Sequence, residues 1–162
     1  MISQSEEKLQ LIKTAAIRLF SENGFHATPT SLIAKEAGVS NGTLFHYFPT
    51  KEELINSLYI ELKREIYSAA LKDVNEQDPF FVTLKKIWDG IIDWSLHTPQ
   101  NFTFVQQFAH SPFISKIAKD EVEKLNKVFE LFVKIGISRG ELKPMREDII
   151  FLAIYSQMMG VI

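Results

Sequence analysis

Side chains that donate and accept hydrogen bonds cluster near the front of the chain, at Ser40, Asn41 and Thr43, with Tyr47 one helical turn beyond Thr43. Ser40 and Asn41 are residue types that begin helices, and Gly42 beside them leaves the backbone open to close approach. The N–H groups and partial positive charge at the start of such a helix favour an anion. The chemistry that these residues could perform is therefore recognition by hydrogen bonding, for example of the phosphates and grooves of DNA.

The segment that carries these residues also has a predicted buried side. Leu44 and Phe48 lie one turn apart and should point inward. Thr43 and Tyr47 then face away from the core, with His46 beside them. The pattern predicts a short helix that is braced from behind by two apolar side chains and open on its polar flank.

A second short helix is predicted just before this one. Thr28 is well placed as its N-cap, with Pro29 at the first helical position. Gly38 ends it, because the backbone must leave the helix sharply and can take a positive φ there. Ala34 and Ala37 are small enough to let the two helices cross closely. Two short helices joined by a tight turn are typical of a helix-turn-helix.

The remainder of the chain is predicted to be helical, because no stretch alternates like a strand, and Pro and Gly stand between the periodic segments. Ser3 followed by Glu6 is a capping-box signature for a first helix, which Asn23 and Gly24 end. Further helices are predicted over about residues 50–72, 80–97, 101–109, 115–138 and from about residue 146.

The predicted fold class is therefore all-α, with a three-helix N-terminal helix-turn-helix domain over residues 1–50 and a helical body over residues 51–162. The 162 residues are 46% hydrophobic and 23% charged, a balance typical of a globular protein that buries a core. Residues 1–51 carry five Lys or Arg and four Asp or Glu, and the whole chain has a net charge of −2. Nucleic-acid binding is thus indicated by pattern and not by a strongly basic composition.

The composition and motifs exclude several kinds of chemistry. The absence of cysteine rules out disulfides, thiolate metal sites and cysteine nucleophiles. The four histidines are scattered, and no hydrolase elbow, phosphate loop or dinucleotide glycine motif occurs. We expect no metal, no cofactor and no enzyme activity. The N-terminus does not read as a signal peptide, and the longest apolar run, residues 149–162, is short for a membrane span, so the expected location is cytoplasmic.

Several short motifs follow one another over the first part of the chain. They are Ala15-Ala16, Leu19-Phe20, Asn23-Gly24-Phe25, Thr28 and Thr30, Ile33-Ala34, Glu36-Ala37-Gly38-Val39-Ser40, Gly42-Thr43-Leu44-Phe45-His46-Tyr47-Phe48 and Lys51-Glu52-Glu53-Leu54. On these motifs, residues 9–58 resemble the DNA-binding domain of tetracycline-repressor-type (TetR family) transcriptional regulators. The resemblance implies a dimeric repressor that binds a palindromic operator in double-stranded DNA. It also implies release by a small hydrophobic or aromatic effector.

The resemblance further implies which residues contact DNA. Thr28, Thr30 and Lys51 would contact phosphates, and His46 and Tyr47 would contact phosphates or bases. The implied DNA-binding residues are Thr28, Thr30, Ser31, Ser40, Asn41, Gly42, Thr43, His46, Tyr47 and Lys51. Phe45 stands where a tyrosine is common in the family, so it keeps the ring but loses the hydroxyl.

The resemblance also implies a homodimer, because in the family the last two helices pair across a two-fold axis as a four-helix bundle. The predicted eighth helix is apolar on nearly every side, and its expected interface residues are Ile150, Ile154, Met158 and Val161. The chain ends within this helix, so the last helix of the family is expected to be lacking or truncated. The alternative is that the eighth helix is buried within one monomer.

Aromatic residues in the predicted body favour an apolar effector site. The candidate ligand-binding residues are Trp88, Ile91, Ser95, Phe104, Phe108, Phe129 and Tyr155. Ordinary core packing is the alternative explanation for most of them. Asp89 and Asp93 could hold a cationic ligand, but Lys85 and Lys86 are spaced to pair with Asp89, which favours a solvated face.

Two other functions stay open at this point. One is a helical small-molecule carrier that does not bind DNA and keeps the front domain only as a scaffold. The other is an enzyme, which would need a polar cluster inside the helical body. Whether the polar flank of the predicted third helix is exposed or packed against the protein separates the regulator from the carrier.

Overall fold

The computed structural model describes the backbone of residues 3–161, and their side chains except those of residues 147, 151, 155 and 158–161. Over this range the chain forms eight α-helices and no strand, which confirms the all-α prediction. The helices are α1 (Gln4–Asn23), α2 (Thr30–Glu36), α3 (Asn41–Tyr47), α4 (Lys51–Leu71), α5 (Phe80–His97), α6 (Pro99–Phe108), α7 (Lys116–Ser138) and α8 (Glu147–Val161). None of the helices, over the residues described, is both long enough and apolar enough to span a membrane.

The chain divides into two compact units. The first comprises Met1–Leu62 and Thr98–Ala118, and the second comprises Lys63–His97 and Lys119–Ile162. Helix α4 contributes residues to both units. The first unit is therefore larger than the predicted domain of residues 1–50, because it includes the start of α4 and the whole of α6.

Helix α1 forms the centre of the first unit. Its N-terminus carries the predicted capping box: Ser3 Oγ accepts a hydrogen bond from Glu6 N at 3.2 Å, and Glu6 accepts one from Ser3 N at 2.8 Å. Ile12, Ala16 and Leu19 recur at helical spacing and are buried, whereas Leu11 is exposed. The largest fully buried side chains of this unit include Ile12, Phe20, Ile33, Leu44 and Leu54.

Helix α6 completes this core, because it packs against α1. The rings of Phe104 and Phe108 lie 6.3 Å and 6.0 Å from the ring of Phe20, centre to centre. Phe113, just after α6, stacks on Phe25 at 3.8 Å between ring centres. These aromatic contacts connect α6 and its following loop to the segment that leads into α2.

The second unit contains the end of α4, together with α5, α7 and α8. A Cβ atom at Gly90 on α5 would collide with the backbone of Ala69 on α4, so a glycine is needed for these helices to cross so closely. Tyr67 on α4 donates a hydrogen bond to Asn126 on α7. These contacts position the side chains of α4, α5 and α7 inside the second unit.

Candidate nucleic-acid interface

The turn between α2 and α3 is closed by backbone hydrogen bonds. Val39 N donates to Ala34 O at 2.9 Å, and Gly38 N donates to Lys35 O at 3.1 Å. This pair of bonds is a Schellman motif, which needs a residue in the left-handed region, and Gly38 supplies it with φ of 66°. The predicted role of Gly38 in ending α2 is confirmed.

Helix α3 is held from behind as its sequence predicted. Leu44 is 0% exposed and Phe48, at the end of the helix, is also buried. Ser40 is the N-cap: its Oγ accepts a hydrogen bond from Thr43 N at 3.0 Å and lies 2.9 Å from Thr43 Oγ1. The cap and the two buried side chains fix the rotation of α3 about its own axis.

The opposite side of α3 is open. We call Ser40, Asn41, Gly42, Thr43, His46 and Tyr47 the α3 flank. Four of these residues are exposed, while Thr43 and Tyr47 are half-buried. Of the predicted residues on α2, Ser31 is exposed and Thr30 is half-buried. Most of the predicted DNA-binding residues are therefore at least partly accessible, and they lie on or beside two helices that contact each other.

Nothing in the packing of the folded chain requires a glycine at Gly42 in the α3 flank. A Cβ atom built there would meet nothing closer than Ser40 Oγ at 3.7 Å, which is an ordinary contact distance. The folded chain itself would accept alanine at this position. The bare backbone at Gly42 is therefore available to a molecule that approaches from outside.

Tyr47 is positioned by the start of α1. Its hydroxyl donates to Ser5 O at 2.9 Å and lies 2.8 Å from Ser5 Oγ. The ring of His46 lies against that of Tyr47, 5.6 Å between centres. This contact with Ser5 is not visible in the local sequence pattern, because the two residues are far apart along the chain.

The predicted role of Thr28 is wrong. Thr28 is 0% exposed, and its hydroxyl oxygen lies 2.8 Å from Gly24 O and 3.1 Å from Leu19 O, the two carbonyl acceptors for its one proton. The N-cap position of α2 is occupied by Pro29, and the helix begins at Thr30. The side chain of Thr28 therefore stabilises the end of α1 and offers nothing to a phosphate.

Lys51 is also engaged inside the protein. Its Nζ lies 4.1 Å from the centre of the Phe25 ring and donates a hydrogen bond to the carbonyl oxygen of the same residue. Burial lowers the pKa of Lys51, and the neighbouring Glu52 opposes this shift. The phosphate contact implied for Lys51 stays a prediction, and it competes with this internal arrangement.

Two other basic residues of the first unit are paired with carboxylates. Arg18 lies 2.5 Å from Glu36, and Lys13 lies 2.6 Å from Glu61. Such pairs offset much of the positive charge that the unit would otherwise present. The α3 flank must therefore recognise its partner chiefly by hydrogen bonds from hydroxyl, amide and backbone groups.

Comparison with known proteins identifies the domain that carries this flank. The sequence model of the family described as bacterial regulatory proteins, tetR family, matches residues 12–58, which contain α2, the turn and α3. An HTH-type transcriptional regulator from Haemophilus influenzae is 28% identical over 141 residues, which cover 87% of this chain and 74% of the relative. The chain carries a DNA-binding domain of the TetR family. It is a helix-turn-helix transcriptional regulator, and the resemblance seen in its motifs is confirmed.

Solved structures of TetR-family proteins share the fold. A protein from Shewanella sp. PV-4, described as a tetR family transcription regulator, superposes with a TM-score of 0.85 at 29% identity, over 94% of this chain and 82% of that one. The regulator FadR from Bacillus subtilis, in complex with stearoyl-CoA, superposes with a TM-score of 0.81 over 94% of this chain and 83% of that one. The identity to FadR is 21%, so this likeness shows the fold alone.

The candidate effector residues are divided between the two units of this chain. Ile91 and Ser95 on α5 are buried in the second unit, and Trp88 is half-buried there. Phe129 on α7 belongs to the same unit and lies 5.1 Å from the ring of Tyr67. Tyr155 falls outside the part of the chain whose side chains are described.

Phe104 and Phe108 belong to the first unit instead. Both rings are buried against Phe20 of α1, as described above. This packing accounts for their burial as core residues of the DNA-binding unit. The structure thus assigns them to a different compact unit from the aromatic residues of α5 and α7, and a ligand contact for them stays a prediction.

The two aspartates of α5 have surface partners. Asp89 forms an exposed ion pair with Lys85 at 2.5 Å, and Asp93 lies 3.3 Å from His97. The prediction that Lys85 pairs with Asp89 on a solvated face is confirmed. The prediction for Lys86 is wrong, because Lys86 pairs with Asp78 at 2.7 Å.

The candidate dimer residues on α8 are only partly described. Ile150 and Ile154 are half-buried, whereas the side chains of Met158 and Val161 lie outside the described residues. The neighbouring Ile149 and Leu152 are 47% and 63% exposed. The outward apolar surface on this part of α8 is therefore carried by residues that the sequence interpretation did not select.

The sequence interpretation also missed Lys63 on α4. This lysine is buried, with its Nζ 5.4 Å from the centre of the Tyr67 ring. A signal was available, because Lys63 lies four residues after Tyr59 and four before Tyr67, on the apolar side of α4. A charged residue at a core position of a helix is a feature that periodicity alone can detect.

Proposed function

We propose that this chain is a cytoplasmic repressor that binds a palindromic operator in double-stranded DNA as a homodimer. In this proposal a small hydrophobic or aromatic effector binds the helical body and releases the DNA. The observation that supports it is the contrast within α3, where Leu44 and Phe48 are buried while the α3 flank is accessible. No observation on the described residues favours a carrier that does not bind DNA.

The α3 flank has the groups that read a duplex. The amide of Asn41 can pair with adenine in the major groove, and the hydroxyl of Thr43 can bond to a base while its methyl group contacts thymine. Ser31 and Thr30 at the start of α2 are placed to contact phosphates. Since few cations are available, the affinity should fall with salt along a shallow slope.

A homodimer is needed because one such flank spans only a few base pairs. Two recognition helices in a symmetric dimer reach half-sites about 34 Å apart, or a multiple of that spacing. Exposed Ile149 and Leu152 on α8 provide apolar area for an interface between copies of the chain. We propose that these residues take part in the dimer together with the predicted Ile150 and Ile154.

A hydrophobic effector is proposed by analogy with FadR, a protein of the same fold that is in complex with stearoyl-CoA. It is also supported by the buried aromatic and aliphatic side chains of the second unit, such as Ile87 and Ile91 on α5. To release DNA, the effector must bind the chain more tightly in its DNA-free form than in its DNA-bound form.

The proposal is tested by selecting duplexes from a random pool with the full chain. We expect a palindrome to emerge, and we expect an electrophoretic shift that corresponds to two chains per duplex. Selection of no common sequence, with binding no tighter than to random DNA, would contradict the proposed repressor.

A further inference from the structure

Phe45 is a large apolar side chain on the accessible side of α3. It is 43% exposed, whereas the other two apolar anchors of this segment, Leu44 and Phe48, are buried. Its exposed neighbours on the helix, Gly42 and His46, belong to the α3 flank. The core of the first unit therefore explains Leu44 and Phe48 but leaves much of the Phe45 ring open to a molecule from outside.

The position of Phe45 relates it to the first turn of α3. Residues three and four apart lie on one face of a helix, so Phe45 shares a face with Asn41 and Gly42. A long side chain in a helix also leans back over the preceding turn. Gly42 has no side chain, and a Cβ atom there would meet only Ser40 Oγ, at 3.7 Å, so this turn leaves room for close approach. The first turn of a recognition helix is the part that contacts base edges, which places Phe45 next to the bases that α3 would read.

The chemistry of Phe45 restricts what it can bind in DNA. Its ring carries no hydroxyl or amide, so a phosphate oxygen would gain no hydrogen bond from it. Contact with Phe45 is favourable where it removes apolar surface of both partners from water. The base edges of the major groove offer donors and acceptors, and one apolar group, the C5 methyl of thymine. Thymine is therefore the base that an exposed phenylalanine on α3 favours.

We propose that Phe45 is a specificity-determining residue, which packs its exposed ring against the C5 methyl group of one thymine in each half-site of the operator. The polar α3 flank supplies the hydrogen bonds to neighbouring groups of the duplex. This inference rests on the proposed operator binding by α3, and it adds one defined base to the sequence that is read. A cytosine or a uracil at the same position lacks the methyl group and loses the contact.

The test is a double-mutant cycle between the side chain and the methyl group. Each thymine of the selected palindrome is replaced in turn by deoxyuridine, which removes only the C5 methyl, and the full chain is titrated with each duplex. The proteins are wild type, Phe45→Ala and Phe45→Gln, with Phe81→Ala as the control because Phe81 is 66% exposed on α5. At one thymine of each half-site, loss of the methyl should weaken wild type and Phe81→Ala by about fourfold for each half-site. Phe45→Ala and Phe45→Gln should bind both forms of that duplex equally well.

The cycle separates recognition of thymine from support of the fold. A residue that only supports α3 would leave the methyl effect unchanged when it is replaced, so an equal response of wild type and the Phe45 variants to deoxyuridine overturns the inference. It is also overturned if the wild type responds to the loss of no methyl group. Phe45→Gln keeps a long side chain without the apolar ring, and gives the same comparison if Phe45→Ala does not fold. Selection of no operator would contradict the repressor proposal, and this inference with it, whereas a tightly bound operator without a Phe45-dependent thymine contradicts this inference alone.

Discussion

The ammonium of Lys51 lies 4.1 Å from the centre of the Phe25 ring and donates a hydrogen bond to the carbonyl oxygen of that residue. The contact joins the first residue of α4 to the segment between α1 and α2. On its other side, the Phe25 ring stacks on Phe113 beyond α6. Three separate parts of the first unit therefore meet around one aromatic side chain.

This internal arrangement competes with the phosphate contact implied for Lys51, and the salt dependence of operator binding distinguishes the two; if the contact with Phe25 persists on DNA, Lys51 is not a phosphate ligand. In Lys51→Met, the slope of log K against log salt for operator binding should equal that of the wild type. Loss of a phosphate contact would instead make the slope less steep by about 0.9 for each half-site. Binding titrations at several salt concentrations measure the slope, with Lys85→Met on α5 as the control.

Because Gly42 has no close neighbour, a substitution there can change DNA binding without changing folding. Gly42→Ala should leave the melting temperature unchanged or slightly raised, because alanine favours a helix and meets no close neighbour. The same substitution should weaken operator binding, because the added methyl group occupies space that the duplex would approach. A variant with both stability and operator affinity unchanged would show that DNA does not come close to Gly42.

Burial of Lys63 predicts a specific pH dependence of stability. The folded chain releases this proton at a pKa of about 8, whereas the ordinary lysine value is 10.5. Between these pH values the unfolded chain binds more protons, so the free energy of unfolding should rise with pH by up to about 3 kcal/mol. Below a pH of about 8, Lys63 is protonated in both the folded and the unfolded chain, so it adds no pH dependence to the free energy of unfolding.

The measurement compares urea unfolding of the wild type and Lys63→Met between neutral pH and the ordinary lysine pKa. Other lysines and tyrosines titrate in both proteins, so the difference between the two curves isolates Lys63. Lys63→Met should be the more stable protein at neutral pH, and its advantage should shrink as the pH rises. Parallel curves would mean that Lys63 keeps its ordinary pKa in the folded chain.

Local patterns in the sequence were sufficient to predict the helices and to distinguish the buried side of α3 from its exposed side. Helix α5 spans the predicted Phe80–His97, and Ser40 caps α3 as expected, because caps and periodicity depend on neighbouring residues. Thr28 was misinterpreted, since a threonine hydroxyl can cap a helix or donate to a distant carbonyl, and only the fold decides between the two. The place of Phe104 and Phe108 in the first unit was not predicted, because the packing of α6 on α1 is a long-range contact.

The exposed apolar side chains of α8 predict the dimer interface. Leu152→Glu should shift the chain from dimer to monomer, because a charge in an apolar interface is costly to desolvate. Leu96 on α5 is 75% exposed, so Leu96→Glu serves as a control with the same change in charge. Analytical ultracentrifugation gives the oligomeric state, and an unchanged dimer in Leu152→Glu would place the interface elsewhere.

The central claim is that the α3 flank reads the operator. The most direct measurement is the equilibrium affinity of the selected palindrome for wild type, Thr43→Ala and Tyr47→Ala, with Thr103→Ala, exposed on α6, as a matched control. Both flank variants should bind more weakly by about 1–3 kcal/mol, while Thr103→Ala binds like the wild type. Unchanged affinity in both flank variants would contradict the assignment of α3 as the recognition helix.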